Sequence, residues 1–423
     1  MPSLHGLLDK AISNGRLTVT DAKGRTHVYG GKEPGPEAAI RFTTPSVARK
    51  IFLNPELKAA EAYMDGELVM DEGSIHDLIQ LFFANKRQFD LSASQIFWRG
   101  LSRGLRRFQQ NNALSRARGN VQVHYDIGEE IYRLFLDADM QYSCAYFPEG
   151  TETLEQAQTL KKRHIAAKLQ LGDGQRLLDI GCGWGGLGLY LAHVADIEVV
   201  GVTLSERQLA VARRRAEILG VSDRVRFELI DYREVDGKFD RIVSVGMLEH
   251  VGVHYLKPYF LTVRDRLSPD GVALIHSISS KAPPGVTGPF LRKYIFPGGY
   301  APSLSEAVSA IELSGLWTLD CEIWRCHYGH TLRHWRDRFE AHRAQAADFM
   351  DERFCRMWEL YLSMCECAFL QGASNVFQIQ LGRERDVVPL TRDYIAIEEA
   401  RIAAREEEFL DRVVASAKQA LEE

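Results

Sequence analysis

The stretch Leu177-Leu178-Asp179-Ile180-Gly181-Cys182-Gly183-Trp184-Gly185-Gly186 constrains the fold of this chain more than any other part of it. An apolar run closes on a carboxylate, alternating glycines follow, and Leu187, Leu189, Tyr190 and Leu191 then begin a helical pattern. This reads as strand, tight turn and helix. Glycines at such a turn let backbone N–H groups approach a ligand where a Cβ would collide, and a helix starting there directs unpaired donors into the same space. The turn is therefore a candidate nucleotide site.

The segments after it alternate. Apolar runs at 197–203, 225–231, 239–245 and 272–278 are expected as strands, with helices at 205–219 and 255–267 between them. Further helices are expected at 304–313 and from 331 to about 370, and further strands at 317–324 and 375–381. The implied class is α/β, a doubly wound parallel sheet. Ligands in such sheets lie at the carboxyl ends of strands, so Asp179, Thr203, Asp231, the 246–249 stretch and His276 are expected to face one crevice.

The rest divides by composition. Residues 1–93 carry short mixed segments and read as a small N-terminal α+β domain, with an acidic surface cluster at Asp65, Glu67, Asp71 and Glu72. Within 94–120, Phe97, Leu101, Leu105 and Phe108 share one helical face and Arg99, Arg103, Arg106 and Arg107 lie opposite. Such a basic amphipathic helix rests on an anionic membrane or packs between domains. Residues 121–394 form the expected catalytic domain, and 395–423 a charged helix read as a surface or oligomer element.

A net charge of −5 argues against a general nucleic-acid-binding protein. Seven scattered cysteines without a C-x-x-C pair point to reduced thiols and a cytoplasmic location. No apolar run approaches the roughly 18 residues of a membrane span, so membrane contact is expected to be peripheral.

The glycine turn fits two patterns. Gly181, Gly183 and Gly186 satisfy G-x-G-x-x-G for a dinucleotide; Asp179 with Gly181, Gly183 and Gly185 satisfies D-x-G-x-G-x-G, typical of S-adenosylmethionine-dependent methyltransferases. A dinucleotide site usually has an acid closing the second strand, but here that strand ends in Thr203-Leu204, which weakens the dehydrogenase reading. Asp231-Tyr232 suits an adenine edge and a stacking ring. Gln208 either contacts a ribose or completes a capping box with Ser205. Glu249, His250, His276 and Tyr328 read as an acid/base or small-anion cluster. No H-x-x-x-H, H-E-x-x-H or C-x-x-C spacing supports a metal, and His276 alone also fits a hydrogen-bonded core histidine.

Seven motifs in order resemble the cyclopropane-fatty-acyl-phospholipid synthases, and the related mycolic acid cyclopropane synthases share the catalytic part. They are His124-Tyr125-Asp126-Ile127-Gly128, Tyr142-Ser143-Cys144-Ala145-Tyr146-Phe147, the glycine turn, Thr203-Leu204-Ser205-Glu206-Arg207-Gln208, Val243 to Gly252, Ile295 to Tyr300 and His327-Tyr328. The resemblance implies a seven-stranded, Rossmann-like methyltransferase sheet. It implies S-adenosylmethionine contacts at Tyr125, Tyr142, Ser143, Asp179, Gly181, Gly183, Thr203, Gln208, Asp231 and Tyr232. A bicarbonate would be held by Cys144, Glu249, His276, Ile278 and Tyr328, and Cys365 matches a cysteine labelled as the active-site residue of the family. On its own surroundings Cys365 reads as a structural thiol, because it lies in a helical run and the reaction needs no thiol nucleophile.

The implied reaction is methylene transfer to the cis double bond of an unsaturated phospholipid acyl chain, by a homodimer at the inner face of the cell membrane. The anion would accept the proton, and Tyr146, Phe296 and Tyr300 are candidate rings facing the cation. A lipid methyltransferase leaving a methyl branch, and a lipid-binding scaffold without catalysis, are the rival readings.

Overall fold

A computed structural model describes residues 4–90 and 128–422. The described residues fall into two compact units. One is drawn from 1–109, 285–297 and 332–373, the other from 110–284, 298–331 and 374–423. Tyr125 and the basic segment 94–120 lie outside the described residues.

The first unit is built on a four-stranded sheet ordered β2-β1-β3-β4, with β1 (Asn14–Thr20), β2 (Thr26–Gly30), β3 (Glu33–Phe42) and β4 (Leu68–Glu72). Alternation decides which face is covered: Leu17 and Val19 of β1 are buried while Arg16 is exposed. The helix Ile75–Ala84 starts in a full capping box between Ser74 and Asp77, and buries Ile75, Leu78 and Leu81 along one face. The acidic cluster is a set of surface ion pairs: Asp65 with Arg353, Glu67 with Lys50 and Asp71 with Arg41.

Segments 285–297 and 332–373 were expected in the catalytic domain, yet they cluster with the N-terminal sheet. Polar contacts explain this. Lys293 and Tyr294 reach Glu61 at 2.7 and 3.0 Å, and Tyr63 donates to Glu359 at 2.9 Å. The helix expected from 331 to about 370 is three helices, His327–Ala341, Arg343–Phe349 and Glu352–Leu370. The last break is fixed by an extended Met350 and by Asp351, whose carboxylate accepts from the Phe354 N–H. Inside this unit lies an apolar cavity of about 290 Å³ lined by residues such as Leu8, Leu17, Phe42, Leu78, Phe290 and Leu360.

The second unit carries a seven-stranded sheet ordered β10-β11-β9-β8-β5-β6-β7. Its strands are β5 (Arg176–Ile180), β6 (Glu198–Thr203), β7 (Val225–Leu229), β8 (Phe239–Val245), β9 (Leu267–Ser280), β10 (Trp317–Ile323) and β11 (Ser374–Gly382). The expected parallel sheet is found only in part. β11 runs antiparallel to both neighbours, filling the place between β9 and β10 after the helical excursion that separates it from β10. β6 lies on one side of β5 and β8 on the other, so the winding reverses at β5. Leu177, Leu178, Ile242, Val243, Leu274 and Ile275 are buried in the middle of the sheet.

The C-terminal helix Asp393–Glu422, expected as a surface or oligomer element, packs one of its faces within its own unit. It buries Ile395, Ile402, Val413 and Ala417, and its buried Glu406 accepts from Arg163 at 3.1 Å and from the Tyr190 hydroxyl. Apart from the buried Glu406, exposed charges such as Arg405, Asp411, Arg412 and Lys418 lie off the stripe that the 3.6-residue period turns inward.

Candidate active site

At the carboxyl ends of β5, β6 and β8 the second unit holds a cavity of about 160 Å³. Nine of the residues expected to meet a cofactor line it: Tyr142, Ser143, Asp179, Gly181, Gly183, Thr203, Gln208, Asp231 and Tyr232. The glycine turn has φ of +83° at Gly181 and +55° at Gly183, left-handed values that disfavour any side chain. At Gly183 an added Cβ would meet nothing within 4 Å, so backbone conformation alone calls for glycine there. The turn's donors are not all available to a ligand. Gly181 and Cys182 both give their N–H groups to the Val202 carbonyl, at 2.9 and 3.0 Å, which ties the turn to β6.

Asp179 is buried, and its Oδ2 makes no hydrogen bond. Burial pushes its pKa up to about 7, against a smaller opposing pull from Lys161. Asp179 lines the cavity, although Oδ2 itself is buried toward Gly188, and a carboxyl group in such a wall suits a cationic or hydroxyl-bearing ligand. Asp231 differs, since Arg233 occupies both its oxygens at 2.7 Å. Gln208 is resolved too. Ser205 caps the helix by accepting from the Gln208 N–H, but the Gln208 side chain accepts from the Thr203 hydroxyl at 3.0 Å and reaches the cavity wall.

Behind the cavity stands a set of buried charges that sequence reasoning missed. Lys161 donates at 2.8 Å to both Gln141 Oε1 and Ser143 Oγ, and Gln158 donates to the Gln141 and Ser143 carbonyls. Asp139 accepts from Lys162 at 2.6 Å and from Arg215. Asp137 accepts from the N–H groups of Asp139 and Gln141. Burial raises Asp137; in Asp139 the two cations overcome burial and hold its pKa down. The signal was weak, because Lys161, Lys162 and Arg215 sit on helices where such residues are ordinarily solvated.

The candidate anion residues stand beside this cavity, which is lined by Gly246, Met247 and His250 but not by them. Glu249 lies in a short turn after β8, and its Oε1 accepts from the Ile278 N–H at 2.6 Å. Its Oε2 is buried without a partner, and burial pushes its pKa up to about 7, opposed by the Ile278 and Ser277 hydrogen bonds. Two residues back along β9, His276 is buried with its pKa held far down by burial and by the charges of Lys161 and Lys168. Tyr328 is in the first turn of His327–Ala341 rather than at a strand end, and is buried. That turn reaches the Cys144 segment, because the Ala145 N–H donates to Thr331 Oγ1 at 3.0 Å and the Phe147 N–H to His327 Nδ1 at 3.0 Å. Cys144 is buried and its thiol is raised far above the usual range by desolvation.

The Tyr300 N–H donates to the Glu249 carbonyl at 2.8 Å, which places that ring's residue beside the candidate anion group. Cys365 lies in the helix Glu352–Leu370 of the other unit. Phe296 is also in that unit, packed on Tyr361. Tyr146 is stacked between His164 and Trp324, with 4.8 Å between centroids in each pair, and Tyr300 donates to Glu306 at 2.6 Å.

A family model described as mycolic acid cyclopropane synthetase matches residues 112–379, and one described as a domain of unknown function matches 4–94. A cyclopropane-fatty-acyl-phospholipid synthase of Escherichia coli is 37% identical over 82% of this chain and 88% of its own. A probable fatty acid methyltransferase of Pseudomonas putida is 42% identical over 61% of this chain and 68% of its own. The solved structure of mycolic acid cyclopropane synthase CmaA1 complexed with SAH and CTAB matches with a TM-score of 0.58 at 31% identity, covering 62% of this chain and 97% of that one.

Proposed function

Since this chain belongs to the mycolic acid cyclopropane synthetase family, we propose that it transfers a methylene group from S-adenosylmethionine to the cis double bond of an unsaturated acyl chain in a membrane phospholipid. Its second unit has the doubly wound, Rossmann-like methyltransferase fold. The observation that carries the reading is a pair of buried carboxyl groups at the ends of β5 and β8. Asp179 and Glu249 each have a buried oxygen without a partner; Asp179 lines the cavity and Glu249 follows Met247, which also lines it, by two residues.

S-adenosylmethionine supplies an electrophilic methyl group on a cationic sulfur. Of the residues that line the cavity, Asp179 and the glycine turn would hold its charged end, Thr203 and Gln208 its ribose, and Asp231 and Tyr232 its adenine, with Tyr142 and Ser143 closing the wall. The alkene π bond would attack the methyl carbon in line as its bond to sulfur breaks and S-adenosylhomocysteine leaves, so the two reactants must be held at near-attack distance. The carbocation left on the adjacent chain carbon would lose a proton from the transferred methyl carbon, and the electron pair of that C–H bond would close the ring. Bicarbonate supplies the base for that step. Glu249, His276 and Tyr328, with Cys144 and the strand at Ile278, would hold it. The donor set fits an anion: a carboxyl group raised to about 7 retains a proton to donate, and His276 is neutral.

Among the described residues no helix is long and apolar enough to cross a membrane. Membrane contact is assigned to the basic segment 94–120, at the cytoplasmic face, in a homodimer.

The test is incubation with S-adenosylmethionine and vesicles of unsaturated phospholipid. Gain of one CH₂ per double bond with high-field ring protons is expected. Unaltered acyl chains would sink the proposal, and a methyl branch would favour the rival that the Pseudomonas putida relative's description brings forward. Glu249→Gln is expected to lower kcat roughly 100-fold, with the KM for S-adenosylmethionine little changed.

A further inference from the structure

We propose that Gln378, oriented by Lys168, is a positioning residue that fixes His276 as the neutral imidazole bearing its hydrogen on Nε2. The proposal rests on reading His276 as part of an anion pocket, but it concerns two residues outside that pocket.

Gln378 stands directly opposite His276 in the antiparallel β9–β11 pair, and both side chains are buried. The Gln378 Nε2 lies 3.2 Å from His276 Nδ1. That contact alone leaves the amide free to turn either way, with its oxygen facing an Nδ1–H or its NH₂ facing a bare Nδ1. Lys168 removes the choice. Its fully buried Nζ lies 3.1 Å from Gln378 Oε1, and an ammonium has hydrogens to give and no lone pair to receive one. The amide oxygen therefore faces Lys168, the amide NH₂ faces the ring, and Nδ1 accepts.

The chain of contacts continues outward. Lys168 pairs with Glu322, with Asp320 at 3.8 Å, and these carboxylates oppose the downward pull of burial on the lysine. Glu322 is also 2.8 Å from His164 Nε2, and His164 Nδ1 is 2.6 Å from Glu399. Trp324 meets the His276 ring edge-on, 5.0 Å between centroids at 89°, which restrains its plane.

The consequence is chemical. An Nε2–H imidazole that cannot readily take a second proton is a hydrogen-bond donor, so it holds an anion without competing for the proton released in the reaction. Gln378 and Gln380 alternate with Phe377, Ile379 and Leu381 in β11 and both are buried, and Gln378 is the one in register with His276.

Selective ¹⁵N-histidine labelling tests it, with His276→Gln used only to assign the resonance. An Nε2-protonated, neutral His276 is expected in the wild type. An Nδ1–H tautomer or an imidazolium would overturn the proposal. Gln378→Glu puts an acceptor opposite Nδ1. It should move the hydrogen to Nδ1 and lower kcat roughly 100-fold, while the KM for S-adenosylmethionine stays within about twofold. A moved hydrogen with unchanged kcat would also overturn it. Gln378→Met keeps the volume but removes the lock, and should give mixed tautomers with a smaller loss. The wild-type spectrum needs no turnover, so the lock can fail in an active enzyme, and an inactive wild type condemns the proposed function and not the lock.

Discussion

Two cavities among the described residues, one in each unit, differ in both size and lining. The one in the first unit, about 290 Å³, is walled by leucines, phenylalanines and other apolar side chains; the one in the second, about 160 Å³, meets Asp179, Thr203, Gln208 and Asp231 and is backed by Lys161. An apolar wall needs only side chains of suitable volume, and many combinations supply it. A polar wall in a buried place requires each donor and acceptor to be matched, so its residues are fixed one by one through the topology that delivers them. The smaller cavity is thus the one where single substitutions should change chemistry. The larger should respond by changing stability.

The largest effect expected is on pH-dependent stability. Asp179 and Glu249 have folded-state pKa values pushed up to about 7 from ordinary values of 3.8 and 4.5. As pH rises past about 4 the unfolded chain releases these protons while the folded protein keeps them, so stability falls until about pH 7 and then levels. For Asp179 the loss is up to about 4 kcal/mol. Denaturant titrations of the ligand-free protein and of Asp179→Asn at pH 4 and pH 8 check this. The variant should lose less stability over that range. Leu78→Ala, in the wall of the apolar cavity, should give the same decrement at both pH values. Equal pH dependence in wild type and Asp179→Asn would break the comparison.

Next in size is cofactor binding. Removing the charge at Asp179 deletes a charge-assisted hydrogen bond of about 1.5–3 kcal/mol, so Asp179→Ala should weaken S-adenosylmethionine roughly 10- to 100-fold by calorimetry. Leu78→Ala should leave that affinity unchanged. An unaltered affinity in Asp179→Ala would remove the functional reading of the orphaned carboxylate.

The sheet and its glycine turn were legible because strand period and glycine spacing are local properties. So was the placement of Asp179 and Thr203 at the cavity, since strand ends face the crevice whatever the loops do, whereas Glu249 and His276, expected in the same crevice, do not line it. The sequence did not reveal that β11 would run against its neighbours, because direction depends on the path between strands rather than on the strand's own residues. Nor did it reveal the assignment of 285–297 and 332–373 to the N-terminal unit, which follows from contacts such as Tyr63 with Glu359 across nearly three hundred positions. Lys161, Lys168 and Gln378 were missed for a related reason. A buried lysine or glutamine is identified by its partner, and each partner is supplied by a distant element.

A smaller effect sharpens the contrast from the other side. Ala59 lines the apolar cavity from the helix Pro55–Met64. Ala59→Leu should fill part of that space and raise stability by about 1 kcal/mol, read as a higher melting temperature with unchanged affinity for S-adenosylmethionine. Ser143→Leu is the matching substitution in the other cavity. There the same gain in volume displaces a hydroxyl that Lys161 holds at 2.8 Å, so cofactor affinity should fall while the apolar site is untouched.

The smallest effect is expected at Cys365. A thiol nucleophile needs thiolate character, which comes from a cation, a helix N-terminus or a metal nearby. Cys365 has the reverse: it sits near the C-terminal end of the helix Glu352–Leu370, where the backbone dipole disfavours a negative charge, and desolvation pushes its pKa up to about 12. It also belongs to the unit that carries the apolar cavity, and Met364, its neighbour in sequence, lines that cavity. Cys365→Ser should therefore change kcat by less than about threefold, equivalent to under about 0.7 kcal/mol, and affect melting more than turnover. A loss of turnover as large as that expected for Glu249→Gln, with melting unchanged, would mean that chemistry extends beyond the polar cavity and that the contrast between the two units is wrong.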